Sequence, residues 1–323
     1  MSGRVLLLVN HRASRCVAML AAVEARLRGA GIDYLAPRVQ RKEDVCQTIE
    51  RHAGEIDRIV IVGGDGSIHT ALPGVLKAKL PLGVVPGGTA NDLARTLGLP
   101  LDADAAIVAI LRGRRRAVDV GLVNDIPFIN AASLGLTTSV THNLDRPLKK
   151  RFGVLAYAIA TAKALSKVRP FEATVRTPEQ RTRLWSVQVV IGNGRHFGSG
   201  MTVDESATID DGLLHLYSIG TQRWWNLVSL LPALMRGTHG RDRRVHNVTA
   251  SHIELQTRPS MTISADGEFV TRTPARFGVM RGALEIFLPD EASETAPGLS
   301  GGAGERAALD HVPSMMKSDR RSA

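Results

Sequence analysis

The sequence predicts an α/β protein in two parts: an α/β nucleotide-binding domain over residues 1–125 and a β-rich, antiparallel sandwich-type domain over 126–289, with a tail from 290 to 323. Three observations carry this. To about residue 125, short apolar runs alternate with stretches of helical periodicity, the pattern of βαβ units on a parallel sheet. Beyond that point short strand-like segments crowd together, as in antiparallel sheets and sandwiches. Two glycine-rich turns follow strands of the first part, which places both on one rim of the sheet, where nucleotides bind.

The elements follow in order. Residues 4–9 (RVLLLV) read as a buried strand, 15–29 as an amphipathic helix closed by Gly29, 33–38 as a weaker strand and 43–53 as a helix. DRIVIV at 57–62 is a strand that runs straight into glycines, LGVVP at 82–86 is another, a helix starts near Asp92, and 104–112 is a further short helix. In the second part the strand candidates are 127–132, 171–176, 185–191, 213–219, 250–256, 260–265 and 284–288, with long helix candidates at 151–167 and 222–236. From Asp290 the chain is rich in Gly, Ala, Ser and charge, a composition that buries too little apolar surface to fold, so disorder is expected there.

Composition narrows the classes. A chain of 323 residues with 44% hydrophobic and 22% charged content is that of a globular protein. Two cysteines, Cys16 and Cys46, form neither a disulfide framework nor a CxxC zinc pair, which fits a reducing, cytoplasmic setting. The longest apolar stretch, 224–235, is interrupted by Asn226, Ser229 and Pro232 and is shorter than the ~20 residues of a membrane span, so a soluble protein is expected. Net charge is +10, from 41 Lys+Arg and 31 Asp+Glu, which leaves nucleic acid, an anionic membrane or an anionic small molecule as partners.

The most informative segment is Gly63-Gly64-Asp65-Gly66-Ser67, directly after a strand. Glycines there let the backbone turn tightly and approach a ligand, and their amides with the following helix start make a phosphate site. An unpaired Asp65 carboxylate would repel phosphate, a conflict that a magnesium ion or a substrate hydroxyl resolves. Pro86-Gly87-Gly88-Thr89-Ala90-Asn91-Asp92 is a second such turn, with Asp92 at a helix start. Neither a Walker A loop nor a GxGxxG fingerprint is present. Asp119 lies inside the apolar run Val118–Gly121, where an acid needs a partner or an ion.

GGDGS followed by PGGTAND resembles the catalytic domain of diacylglycerol kinases, shared by bacterial soluble lipid kinases and by sphingosine and ceramide kinases. The resemblance runs on through Phe128–Gly135, 148–171, Gly192-Asn193-Gly194 with Gly198, Asp210–Leu214 and Asp266-Gly267-Glu268, covering roughly 4–288. It implies an active site in the cleft between an α/β and a β-rich domain, with ATP and Mg2+ as cofactors. It also implies γ-phosphoryl transfer to a hydroxyl of diacylglycerol or a related lipid (sphingoid base, ceramide or phosphatidylglycerol). The implied phosphate cradle is Gly63 to Ser67 with Gly88, Thr89, Asn10 and Arg15, and the implied base is Glu268, with Asp266 as support or alternative and Asp65 in the catalytic set. The implied Mg–water network uses Asp65, Asp92 and Asp119. A second, structural cation is implied on the Asp211 carboxylate and the carbonyls of Thr208 and Leu213; an ordinary Asx turn is the other reading of that segment. At 10–15 the chain reads NHRASR where the family has Asn-Pro-x-(Ser/Ala)-Gly-Lys, and at 68–70 Ile-His-Thr replaces Ile-Asn-Glu. His69 reads as a helix-face histidine. An NAD-kinase-like enzyme and a catalytically weak lipid- or nucleotide-binding regulator are the alternatives.

Because the glycine loops account for an anionic nucleotide, the excess positive charge is left for an anionic lipid surface. The expected setting is therefore peripheral, at the inner face of the membrane, without nucleic acid, and with a homodimer among the assemblies considered. The basic clusters are Arg112–Arg116, Arg146 with 149–151, and Arg236 with Arg241, Arg243 and Arg244, with Trp224 and Trp225 near the last.

Overall fold

The strand Val5–Val9 (VLLLV) is apolar on both sides of its pleat because helices cover both faces of the sheet to which it belongs. The computed structural model describes residues 3–135, 169–194, 196–197, 201–202, 207–220 and 245–290. Val5–Val9 pairs in parallel with Tyr34–Leu35 on one side and Arg58–Gly63 on the other, and Leu82–Pro86 follows in parallel. Helices Ser14–Gly29 and Ala103–Arg112 bury Cys16, Val23, Leu27, Ile107 and Ile110 against Val5, Leu7, Val60, Val62 and Val85. On the other face, Asp44–His52 and Asp65–Ala78 bury Ile49, Leu72 and Val75 against Leu6, Ile59, Ile61 and Val84.

This sheet continues past Leu82–Pro86. The 14-residue strand Ala275–Leu288 joins Leu82–Pro86 in parallel through Ile286 and Leu82, and pairs antiparallel with Arg114–Val123 and with His252–Arg258. Phe171–Arg176 and then Arg181–Ser186 complete this edge. The basic cluster Arg112–Arg116 runs into the strand Arg114–Val123. Its exposed arginines are only the start of a strand that becomes buried at Val118. A second, six-stranded antiparallel sheet runs in the order Val245–Ala250, Leu214–Ile219, Gln188–Gly192, Ala131–Gly135, Thr262–Ala265, Glu268–Arg272. The inner faces of the two sheets share a core of Phe171, Ala173, Leu255 and Phe277 with Leu134, Ile191, Leu216 and Ile263. The architecture is therefore an α/β layer followed by a β-sandwich, as the sequence predicts.

Two expected strands divide. The segment 185–191 is the end of one strand and most of another, Gln188–Gly192, in different sheets, with Val187 between them; Ser186 donates from its Oγ to Gln188 O at 2.8 Å at this switch. The run 250–256 divides in the same way at Ser251. Strand propensity continues through both points, whereas the change of sheet depends on distant partners. The helix candidates 151–167 and 222–236, the basic clusters at 146–151 and 236–244, Trp224, Trp225 and the tail lie outside the described residues.

Candidate active site

Strand Arg58–Gly63 passes directly into helix Asp65–Ala78 through Gly64. A β-carbon on Gly64 would lie 2.8 Å from Gly88 Cα, and one on Gly88 would lie 2.6 Å from Gly64 Cα. The two glycine loops thus touch backbone to backbone, and no other residue fits at either position. The pairing is fixed by Gly87 N donating to Gly63 O at 2.9 Å. Asn91 adopts a left-handed conformation (φ 50°) and clamps Gly88, its Oδ1 accepting from Gly88 N at 2.9 Å and its Nδ2 donating to Gly88 O at 3.0 Å. Asn10 reaches the rim too, with Nδ2 donating to Ser67 Oγ at 3.3 Å. Beneath Gly87 sits Cys16, whose Sγ would lie 2.4 Å from a β-carbon there; burial pushes this thiol's pKa up, so it packs as a small apolar group.

Asp65 is not left facing a phosphate. Its carboxylate accepts from Asp92 N and Leu93 N, both at 3.1 Å, and from Asn130 Nδ2 at 3.3 Å. The charge conflict expected for this loop is resolved by amides at the start of helix Asp92–Thr96 and by Asn130, which lies between strands Ile126–Phe128 and Ala131–Gly135. Asn130 is buried, and its Oδ1 accepts no hydrogen bond among the described residues.

The turn between Thr262–Ala265 and Glu268–Arg272 comes to the same place. Asp266 (φ 48°) has a fully buried carboxylate that accepts from the backbone N–H groups of Ile129 (2.9 Å), Asn130 (2.8 Å) and Ala131 (3.3 Å). Its Oδ2 also meets His69 Nδ1 at 3.2 Å. These contacts hold the turn in place and fit the supporting role expected of Asp266, while His69 reaches it from the helix Asp65–Ala78. Glu268, two residues on, is 45% exposed, and its Oε1 lies 3.9 Å from where a β-carbon of Gly66 would stand. The same oxygen accepts from Lys42 Nζ at 2.6 Å. Sequence reading missed Lys42, which lies in an unremarkable charged turn.

The remaining expected residues divide. Thr89 is exposed beside the rim, and Arg15 is exposed on the first turn of its helix. The Asp119 carboxylate, like Asp92, is buried, and backbone amides hold it. Its Oδ1 accepts from Gly282 N at 2.7 Å and its Oδ2 from Gly212 N at 2.6 Å. Gly282 lies where the register between Arg114–Val123 and Ala275–Leu288 shifts, and Asp119 satisfies the amide that this bulge frees. The Asp211 carboxylate likewise accepts from the amides of Thr208 (3.2 Å) and Leu213 (2.8 Å) and meets His215 Nε2 at 2.8 Å. These contacts form the Asx-type turn that is the other reading of this segment, and they involve the amides of Thr208 and Leu213, not their carbonyls. Among the described residues no three His, Cys, Asp or Glu side chains converge on a metal-sized space.

Comparison with known proteins follows this geometry. Residues 4–123 match the diacylglycerol kinase catalytic domain, and 130–288 match the YegS C-terminal NAD kinase beta sandwich-like domain. A Pseudomonas aeruginosa (strain UCBPP-PA14) protein named "Probable lipid kinase YegS-like" is 31% identical over 290 residues, covering 88% of this chain and 94% of the relative. The chain belongs to the YegS-like lipid kinase family. It is accordingly an enzyme, a kinase with a diacylglycerol-kinase-type catalytic domain. It is also similar to the "Diacylglycerol kinase" of Staphylococcus saprophyticus, at 26% identity over 84% of this chain and 90% of that one. A solved diacylglycerol kinase structure from Bacillus anthracis str. Sterne shares the fold, with a TM-score of 0.69 at 21% identity over 88% of this chain and 97% of that one. The beta sandwich-like name of the second domain describes a fold. No helix among the described residues is long and apolar enough to cross a membrane.

Proposed function

We propose that the chain transfers the γ-phosphoryl group of ATP to a hydroxyl of diacylglycerol or a related lipid. The observation that carries this reading is the approach of Glu268 to Gly66, a half-exposed carboxylate facing the amide-rich loop that suits a terminal phosphate. In this reading the rim Gly63–Ser67, Gly88 and Thr89, with Asn10, holds the triphosphate. Mg2+ arrives bound to the nucleotide's own phosphates as part of the substrate. The lipid oxygen bonds to the γ-phosphorus, Glu268 takes its proton, the bond to the β-phosphate oxygen breaks, and ADP leaves. Asp65, Asn130, Asp266 and His69 position the two loops against one another. Residues 1–125 are proposed to supply the nucleotide half and 126–289 the lipid half. The test is transfer from radiolabelled ATP to a total lipid extract, with the product identified by mass spectrometry. Labelled lipid phosphate is the expected result; label on NAD instead would favour the NAD-kinase-like alternative.

Contact with an anionic membrane surface is the matching proposal for the positive charge. It is supported by one solvent face of the ten-stranded sheet. Arg176, Arg181, Arg183, Arg258 and Arg276 share that face with Glu172 and Glu254, and Trp185 stands 62% exposed beside them. Glu172 pairs with Arg183 and Glu254 with Arg276. Each arginine near such a surface contributes about 1 kcal/mol, and an interfacial tryptophan suits the headgroup region. Sedimentation with vesicles should show binding to anionic but not neutral lipid, weakened in Arg176→Glu/Arg181→Glu. Equal binding of that variant would exclude this face.

A further inference from the structure

The rim carries carboxylates, amides and hydroxyls, and a triphosphate needs cations; Arg95 Nε donates to Ala90 O at 3.0 Å on the second glycine loop, and Lys42 stands at the first through Glu268. It sits in the turn before helix Asp44–His52, and that helix lies against helix Asp65–Ala78, which begins at the phosphate loop. A β-carbon on Gly74 would lie 3.1 Å from Cys46 Cα, and Cys46 Sγ donates to Thr70 O at 3.4 Å, so the two helices are in close contact. The result is an ammonium group 2.6 Å from Glu268 Oε1, an oxygen that itself lies over Gly66. Both side chains are about half exposed (53% and 45%), and an ion pair of that kind adds little to stability and exchanges readily.

We infer that Lys42 is a γ-phosphate ligand that changes partner on nucleotide binding. Without nucleotide it holds Glu268. When ATP enters, the terminal phosphate over Gly66, with about twice the charge of a carboxylate, draws the ammonium away. Glu268 then has a free oxygen for the proton of the lipid hydroxyl. ADP lacks the γ-phosphate and leaves the Lys42–Glu268 pair intact, so only ATP prepares the base. This inference rests on the ATP reading and adds to it the group that distinguishes ATP from ADP.

The test is calorimetric binding of Mg–ATP and Mg–ADP to the full chain and its variants. Lys42→Met should weaken ATP about tenfold, one step of 1.4 kcal/mol, and leave ADP within about twofold. Lys42→Arg should restore most of the difference. Glu268→Gln, which removes the competing charge, should tighten ATP. A Lys42→Met chain with the wild-type ATP-to-ADP ratio overturns the role of Lys42 alone, while a wild-type chain that binds neither nucleotide overturns the ATP reading and this inference together. A purely structural role for Lys42 predicts equal loss for both nucleotides, which also overturns it.

Discussion

Two acidic turns in this molecule have similar sequences and opposite surroundings. At the Asp211 turn, the Asp211 and Asp119 carboxylates accept from four backbone amides, those of Thr208, Leu213, Gly212 and Gly282. At the Asp266-Gly267-Glu268 turn only the first acid is treated in that way. Glu268 is held by one exchangeable lysine and opens toward the glycine loop. A carboxylate saturated by amides serves the scaffold, whereas one with spare acceptor capacity suits the base role proposed for Glu268.

The largest expected effect is on Glu268. Glu268→Gln should lower kcat by about 10³-fold, within the range for loss of a general base, with thermal unfolding unchanged. Near-normal turnover in that variant would move the base elsewhere. Next comes Asp266→Asn, which turns an amide NH2 toward the N–H groups of Ile129, Asn130 and Ala131. It should cost about 10²-fold in kcat by misplacing Glu268, and should lower the melting temperature as well. A fall in stability without a fall in rate would separate the turn from catalysis.

On the scaffold side, Asp119→Ala orphans two amides and should destabilise the chain by about 2–5 kcal/mol in denaturant unfolding. A loss of nucleotide affinity with intact stability would instead place Asp119 at the site and break the contrast. The smallest effect is expected for Asp211→Ala, about 1–2 kcal/mol, with kcat preserved. If added Mg2+ or Ca2+ raises the melting temperature of the wild type but not of this variant, a cation belongs to that turn after all.

What could be read in advance was whatever is local in the chain. Gly63–Ser67 and Pro86–Asp92 announce themselves because a tight turn after a strand leaves few residue choices. Asp119, inside an apolar run, reads in sequence as an acid that needs a partner or an ion, and the structure gives it a partner. That partner is a bulge made by Gly282, 163 positions away, and no local pattern contains it. Lys42 and Glu268 are 226 residues apart, and His69 and Asp266 are 197 apart. Their meeting depends on how helix Asp44–His52 packs and on where the second sheet lies.

The sequence by itself determined the α/β-then-β order, the two glycine loops and the set of acids worth testing, because backbone conformation and hydrophobic period are written within a few residues. The tertiary structure alone decided which of those acids are neutralised by amides and which one stays available. That choice follows from long-range strand pairing and the hydrogen bonds it frees, since a carboxylate's reactivity depends on the donors around it more than on its own place in the chain.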